Sequence, residues 1–163
     1  MKQITLAITF LALAATAGAQ NEEKPFRYNG YGYTYFAAGG CSHGYANIGA
    51  GGGGEGFLWR GLTLGGDIGY FNFPADRRSG YGVMTLNVGW HFVDRSKPKK
   101  LDPYLGLAVL GAALVSGGFE PVGHLTGGVN YWFKDRMGMQ VGGMFQLVGE
   151  EPIMAVRVGL TFR

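Results

Sequence analysis

The chain has 163 residues, of which 14% are aromatic, with a formal net charge of +3 and one cysteine. A charge this small and dispersed excludes a binder that works through the nucleic-acid backbone, and a single cysteine excludes an internal disulfide. Glycine is the outlier at 31 residues, far above the usual level of about 7%, yet the aromatic content excludes a flexible glycine linker.

The first residues read as an export signal. Lys2 supplies a positive start, Ile4–Ala15 is an almost unbroken apolar run, and Ala17-Gly18-Ala19 places small residues at a cleavage site. A spanning helix needs about 20 apolar residues, and this run is shorter. Residues 1–19 are therefore assigned as a cleavable signal peptide, 20–28 as a polar periplasmic leader, and 29–163 as one folded domain. Without Lys2, 13 basic and 11 acidic residues remain, a net charge of +2.

From there the chain alternates with period two, the mark of strands. Asn29–Ala38 carries Tyr31, Tyr33 and Tyr35 on one face, and Gly39–Gly44 is a loop. A second strand, about Ala46 to Leu58, sets Ile48, Ala50 and Leu58 against Asn47 and Glu55, and Trp59-Arg60-Gly61 is a tight turn. The third sets Leu62, Leu64, Ile68 and Tyr70 against Thr63, Gly65, Asp67 and Gly69, before a charged loop at Pro74–Gly80. The fourth sets Met84, Leu86, Val88, Trp90 and Phe92 against Thr85, Asn87, Gly89 and His91, before a solvated turn at Asp94–Lys100.

Leu105, Leu107 and Val109 mark a fifth strand, followed by a small-residue loop at about Gly111–Pro121. The sixth sets Leu125, Val129, Tyr131 and Phe133 against His124, Thr126, Gly128, Asn130 and Trp132. After a turn at Lys134–Arg136, the seventh sets Met137, Met139, Val141, Phe145 and Leu147 against Gln140, Gly142 and Gln146. The last, Ile153–Arg163, has Met154, Val156, Val158, Leu160 and Phe162 on one side and Ala155, Arg157, Gly159 and Thr161 on the other.

Eight strands of membrane-spanning length, without a helical period, predict an all-β fold: an eight-stranded antiparallel transmembrane β-barrel behind a signal peptide. The charges support it. Within these strands lie only Glu55, Asp67 and Arg157, all assigned to the small, polar face. A charge on the lipid face near the midplane costs about 2–4 kcal/mol. The glycine excess follows, because an eight-stranded interior is just wide enough for side chains. The bulky face then looks out to lipid, with Trp90, Phe92, Tyr131, Phe133 and Phe162 as an interfacial girdle. Backbone groups in a bilayer must be paired, so the last strand is expected to pair with the first. Both termini then lie on one side, the periplasmic one, with the loops near His43, Arg77, Ser116 and Glu150 outside.

Leu101-Asp-Pro-Tyr-Leu-Gly-Leu107 after a basic turn, Gly127–Gly138 and Val158-Gly-Leu-Thr-Phe162 resemble segments of the small outer-membrane β-barrel family, the OmpA/OmpX/OmpW-like group. The resemblance spans the mature chain and implies an architecture more than an activity. Chains of that group usually end on an aromatic read by the barrel-assembly machinery; here Arg163 follows Phe162.

Gly49–Gly54 matches G-x-G-x-x-G, but a dinucleotide site needs a helix after it, and strand continues here. His43, His91 and His124 show no metal-ligand spacing, and Cys41 with His43 offers at most two ligands. Ser42 beside His43, or Ser116, would suit a lipid hydrolase or acyltransferase, but no acidic orienter stands at a useful spacing. No catalytic residue, cofactor or metal is therefore expected. The polar constellation is Glu55, Asp67 and Arg157, read as a charge-compensated lumen plug in preference to a gate.

The expected function is an integral outer-membrane protein with a structural or interaction role through short external loops. Its expected partners are outer-membrane lipid and lipopolysaccharide, the assembly machinery during biogenesis and an external loop partner, with no nucleic acid and a monomeric state. The alternatives are a narrow pore or conduit for ions or small hydrophobic solutes and, ranked lower, a soluble periplasmic lipocalin-like ligand-binding barrel.

Overall fold

The computed structural model describes residues 29–73, 80–93 and 99–163. The signal peptide, the leader and most of the two charged connections at 74–79 and 94–98 lie outside the described residues. Eight strands follow one another: β1 (Gly30–Cys41), β2 (Ala46–Trp59), β3 (Leu62–Asn72), β4 (Tyr81–His91), β5 (Leu101–Val115), β6 (Gly118–Lys134), β7 (Met137–Val148) and β8 (Glu151–Phe162). Each pairs antiparallel with its sequence neighbours, and β8 closes the barrel on β1, from Gly32↔Phe162 to Cys41↔Ile153.

The barrel is apolar outside. On β8, Met154, Val156, Val158, Leu160 and Phe162 face outward, while Ile153, Ala155, Arg157 and Thr161 are buried inside. Every strand adds large exposed apolar side chains to this outer band. The five girdle aromatics Trp90, Phe92, Tyr131, Phe133 and Phe162 face outward near the end that holds the termini. Tyr70 and Phe119 face outward nearer the opposite rim.

Three sequence expectations are corrected. The bulky face is not everywhere the outer one: Tyr31, Tyr33 and Tyr35 are buried in the lumen. Tyr33 and Tyr35 fit because the residues facing them lack side chains, Tyr33 pairing with Gly53 and Tyr35 with Gly51. A Cβ on Gly51 would lie 2.5 Å from the Tyr35 hydroxyl.

The expected loop at Gly111–Pro121 is strand on both sides of a two-residue turn at Ser116–Gly117. A bulge in β5 leaves Val109 without a partner on β4, and Val109 and Leu110 both face outward. The inward parity therefore switches from Tyr104 and Gly106 to Ala113, which a strict period of two does not follow.

Third, the strands hold charges beyond the three expected. Asp102, Glu120, Lys134 and Glu151 also lie within them, and of these Asp102 is fully buried. The tight turn at Arg60–Gly61 is present, with Arg60 at a φ of 47°. Gly61 is required by close approach, since a Cβ there would lie 2.0 Å from the His91 carbonyl oxygen.

Candidate functional site

The lumen carries the chemistry, and the strand register stacks it in three levels. At the level nearest the termini, β4 delivers His91 between two carboxylates. Its Nδ1 lies 2.8 Å from Asp102 Oδ2 on β5, and its Nε2 lies 3.7 Å from Glu55 Oε2 on β2 and 3.1 Å from the Tyr31 hydroxyl. Thr63 donates its hydroxyl to the same Glu55 oxygen. The imidazole is walled by aromatic rings: Tyr31 and Phe57 meet it edge-on, each with ring centres 5.1 Å away, and Tyr104 stacks on it at 5.8 Å. Glu55 has a side chain only 7% exposed, so both carboxylates are shielded and both face the same imidazole.

The middle level is built on Arg157 of β8, which is 2% exposed. Its Nη2 donates to Gln140 Oε1 at 2.8 Å, and Gln140 in turn donates to Asn130 Oδ1 at 3.1 Å. The guanidinium carbon lies 4.9, 5.1 and 5.7 Å from the ring centres of Tyr35, Tyr33 and Tyr104, within the range of cation–π attraction. Asp67 of β3 accepts a hydrogen bond from Tyr35 at 2.8 Å. The third level, toward the other rim, is more apolar: Phe71 stacks on Tyr81 with ring centres 5.4 Å apart, and Tyr81 donates to Gln146 at 3.2 Å.

All three residues singled out from the sequence, Glu55, Asp67 and Arg157, point into the lumen. They do not form one compact cluster. Arg157 and Asp67 share the middle level through Tyr35, without a direct ion pair among the described residues, whereas Glu55 sits one level away with His91 and Asp102. A strand taken from Leu105 leaves Asp102 out; period two extended backward from Gly106 through Tyr104 places it on the inner face. The alternation places His91 on the polar face, but its partners are set by cross-barrel register, which the sequence does not display.

Among solved structures, the chain is similar to neisserial surface protein A, with a TM-score of 0.63 and 16% identity, covering 85% of this chain and 99% of that one. It is also similar to the N-terminal β-barrel domain of OprF from Pseudomonas aeruginosa, with a TM-score of 0.59 and 17% identity over 84% and 100% of the two chains. The attachment invasion locus protein Ail of Yersinia pestis gives a TM-score of 0.54 at 8% identity, covering 82% of this chain and 97% of that one. The chain has the fold of a small outer-membrane β-barrel. No family model and no curated protein matches it. At these identities the likeness concerns the fold, and the lumen constellation stands on this chain's own geometry.

In that barrel several buried polar atoms lack a protein partner: Asp67 Oδ2, Thr85 Oγ1, Tyr104 Oη, both ring nitrogens of His124, Asn130 Nδ2, Gln146 Nε2 and Arg157 Nε. They recur from the level of Asn130 to that of Gln146. Buried polar groups need partners, and a polar interior finds them in water.

Proposed function

We propose that the chain is an integral protein of a Gram-negative outer membrane, exported by residues 1–19, built by the barrel-assembly machinery and held as a monomer in lipid and lipopolysaccharide. Its role is structural or interactive, carried by its external loops, and it is not an enzyme. One observation supports this reading above the others: the barrel is inverted, with a broad apolar band on its outer wall and Asp67, Asp102 and Arg157 buried within, which a bilayer stabilises and water does not. A soluble lipocalin-like barrel would place its apolar face inward. The lumen is packed with tyrosines, Phe71 and Arg157, which favours a plug over an open pore. Ail, similar in fold, is the attachment invasion locus protein of Yersinia pestis, and a role in attachment would fit the reading proposed here.

In this reading the turns at Arg60–Gly61 and Asp135–Arg136 are periplasmic, and those at Ser42–Tyr45, Ser116–Gly117 and Gly149–Glu150 are external. An epitope inserted at Gly117 should be reached by antibody on intact cells, and one inserted at Asp135 only after permeabilisation. The protein should sediment with the outer membrane and migrate differently in boiled and unboiled samples. Recovery in the soluble periplasmic fraction would overturn the reading.

A narrow hydrated conduit is the second reading, favoured by the unpartnered polar atoms along the lumen. Planar-bilayer recordings separate the two: discrete conductance steps select the conduit, and an electrically silent, folded barrel selects the plug.

A further inference from the structure

Three metal-ligating side chains converge at the rim opposite the termini. Cys41 ends β1, His43 lies two residues on in the connecting loop, and Glu151 begins β8. Far apart in sequence, they meet because the barrel closes there. Cys41 pairs with Ile153 across the β1–β8 seam, and Glu151 shares the inward parity of Ile153 two residues earlier. Cys41 and Glu151 are therefore diagonal neighbours on the inner face of the rim.

The loop brings His43 to them. Gly44 N–H donates to the Cys41 carbonyl at 3.0 Å, Cys41 N–H donates to the Tyr45 carbonyl at 3.1 Å, and Gly44 adopts a φ of 79°. One ligand atom from each of Cys41, His43 and Glu151 lies within 4.8 Å of the other two. His43 Nδ1 is 3.9 Å from Glu151 Oε1 and 3.4 Å from Ser42 Oγ. The Cys41 thiol is free and half-buried.

We propose that Cys41, His43 and Glu151 bind a zinc-type divalent ion that clips the closing seam of the barrel. Zinc bonds of about 2.0–2.3 Å place tetrahedral ligands about 3.3–3.8 Å apart. The three side chains therefore need only close inward by about 1 Å, and the exposed His43 is free to do so. A thiolate, a neutral imidazole and a carboxylate together balance the ion's two positive charges, the thiol proton passing to solvent as the sulfur–metal bond forms. Thiolate and imidazole select zinc or cobalt over calcium or magnesium, which prefer oxygen donors. Three protein ligands leave a fourth position for water. The proposal is independent of which side of the membrane this rim faces.

The test uses the full chain without an affinity tag, purified in detergent, with Co²⁺ as the spectroscopic probe and Zn²⁺ as competitor. The expected result is a thiolate-to-cobalt charge-transfer band that saturates at one ion per barrel, disappears on Zn²⁺ addition and resists Mg²⁺. Cys41→Ser should abolish the band. His43→Gln and Glu151→Gln should each weaken binding at least about 10-fold, with the heat-dependent gel shift showing that each variant remains folded. Absence of the band in the folded wild-type barrel, or unchanged affinity in the His43 and Glu151 variants, overturns the site. A plain His43–Glu151 ion pair beside a bystander thiol would give that outcome.

Discussion

Replacing Arg157 by methionine probes how the lumen is held together. Methionine keeps much of the side-chain volume, so packing losses stay small, while the charge and its donors disappear. The lost charge-assisted bond to Gln140 is worth about 1.5–3 kcal/mol. A desolvated cation–π contact of the kind made with Tyr35 and Tyr33 adds about 2 kcal/mol. The sum is about 3.5–5 kcal/mol. A further loss comes from Asp67, whose carboxylate is left in a lumen without the guanidinium. Adding Asp67→Asn removes that charge yet keeps an oxygen acceptor for Tyr35, so the double variant should regain about 1 kcal/mol or more over Arg157→Met alone. Urea unfolding in detergent, followed by tryptophan fluorescence and by the folded band on unheated gels, measures both. A loss below about 1 kcal/mol for Arg157→Met, or a double variant no more stable than the single one, would refute the reasoning.

Two further substitutions test the wall. A Cβ on Gly49 would lie 2.2 Å from the Phe71 ring, which is pinned by stacking on Tyr81. Gly49→Ala should therefore cost about 1–3 kcal/mol, and adding Phe71→Leu should recover most of it; the same unfolding assay would show a neutral Gly49→Ala if the lumen were loosely filled. On the outer face, Val158→Arg lies mid-strand and should cost about 2–4 kcal/mol in lipid vesicles, against about 0–1 kcal/mol for Phe162→Arg at the rim. Equal effects at the two positions would contradict a hydrocarbon environment around the barrel.

Legibility differed from strand to strand for physical reasons. The closing strand was plain because lipid and lumen impose opposite chemistry on alternate residues, from Met154 to Phe162. The first strand was ambiguous, since tyrosine suits a lipid interface as well as a lumen opposite glycines; only the pairing of Tyr33 and Tyr35 with Gly53 and Gly51 turns them inward. The β5–β6 hairpin was shortened to a loop because a bulge shifts the parity within a run of small residues. Glu55, Asp67 and Arg157 are legible as lumen charges from their faces, whereas Asp102 sits at a strand entry beside a basic turn, where alternation has barely begun.

The sequence by itself determined sidedness. Alternation is local, so outside the tyrosines of β1 and the bulge of β5 it states which residues face hydrocarbon and which the lumen, and the scarcity of charge on the apolar side makes that side the outer one. What only the tertiary structure decided is company. Which lumen groups meet depends on the register of eight strands and on closure between β1 and β8, both long-range properties. That closure seats Arg157 over the tyrosines of β1 and brings Cys41 and His43 to Glu151, residues that nothing local in the chain connects.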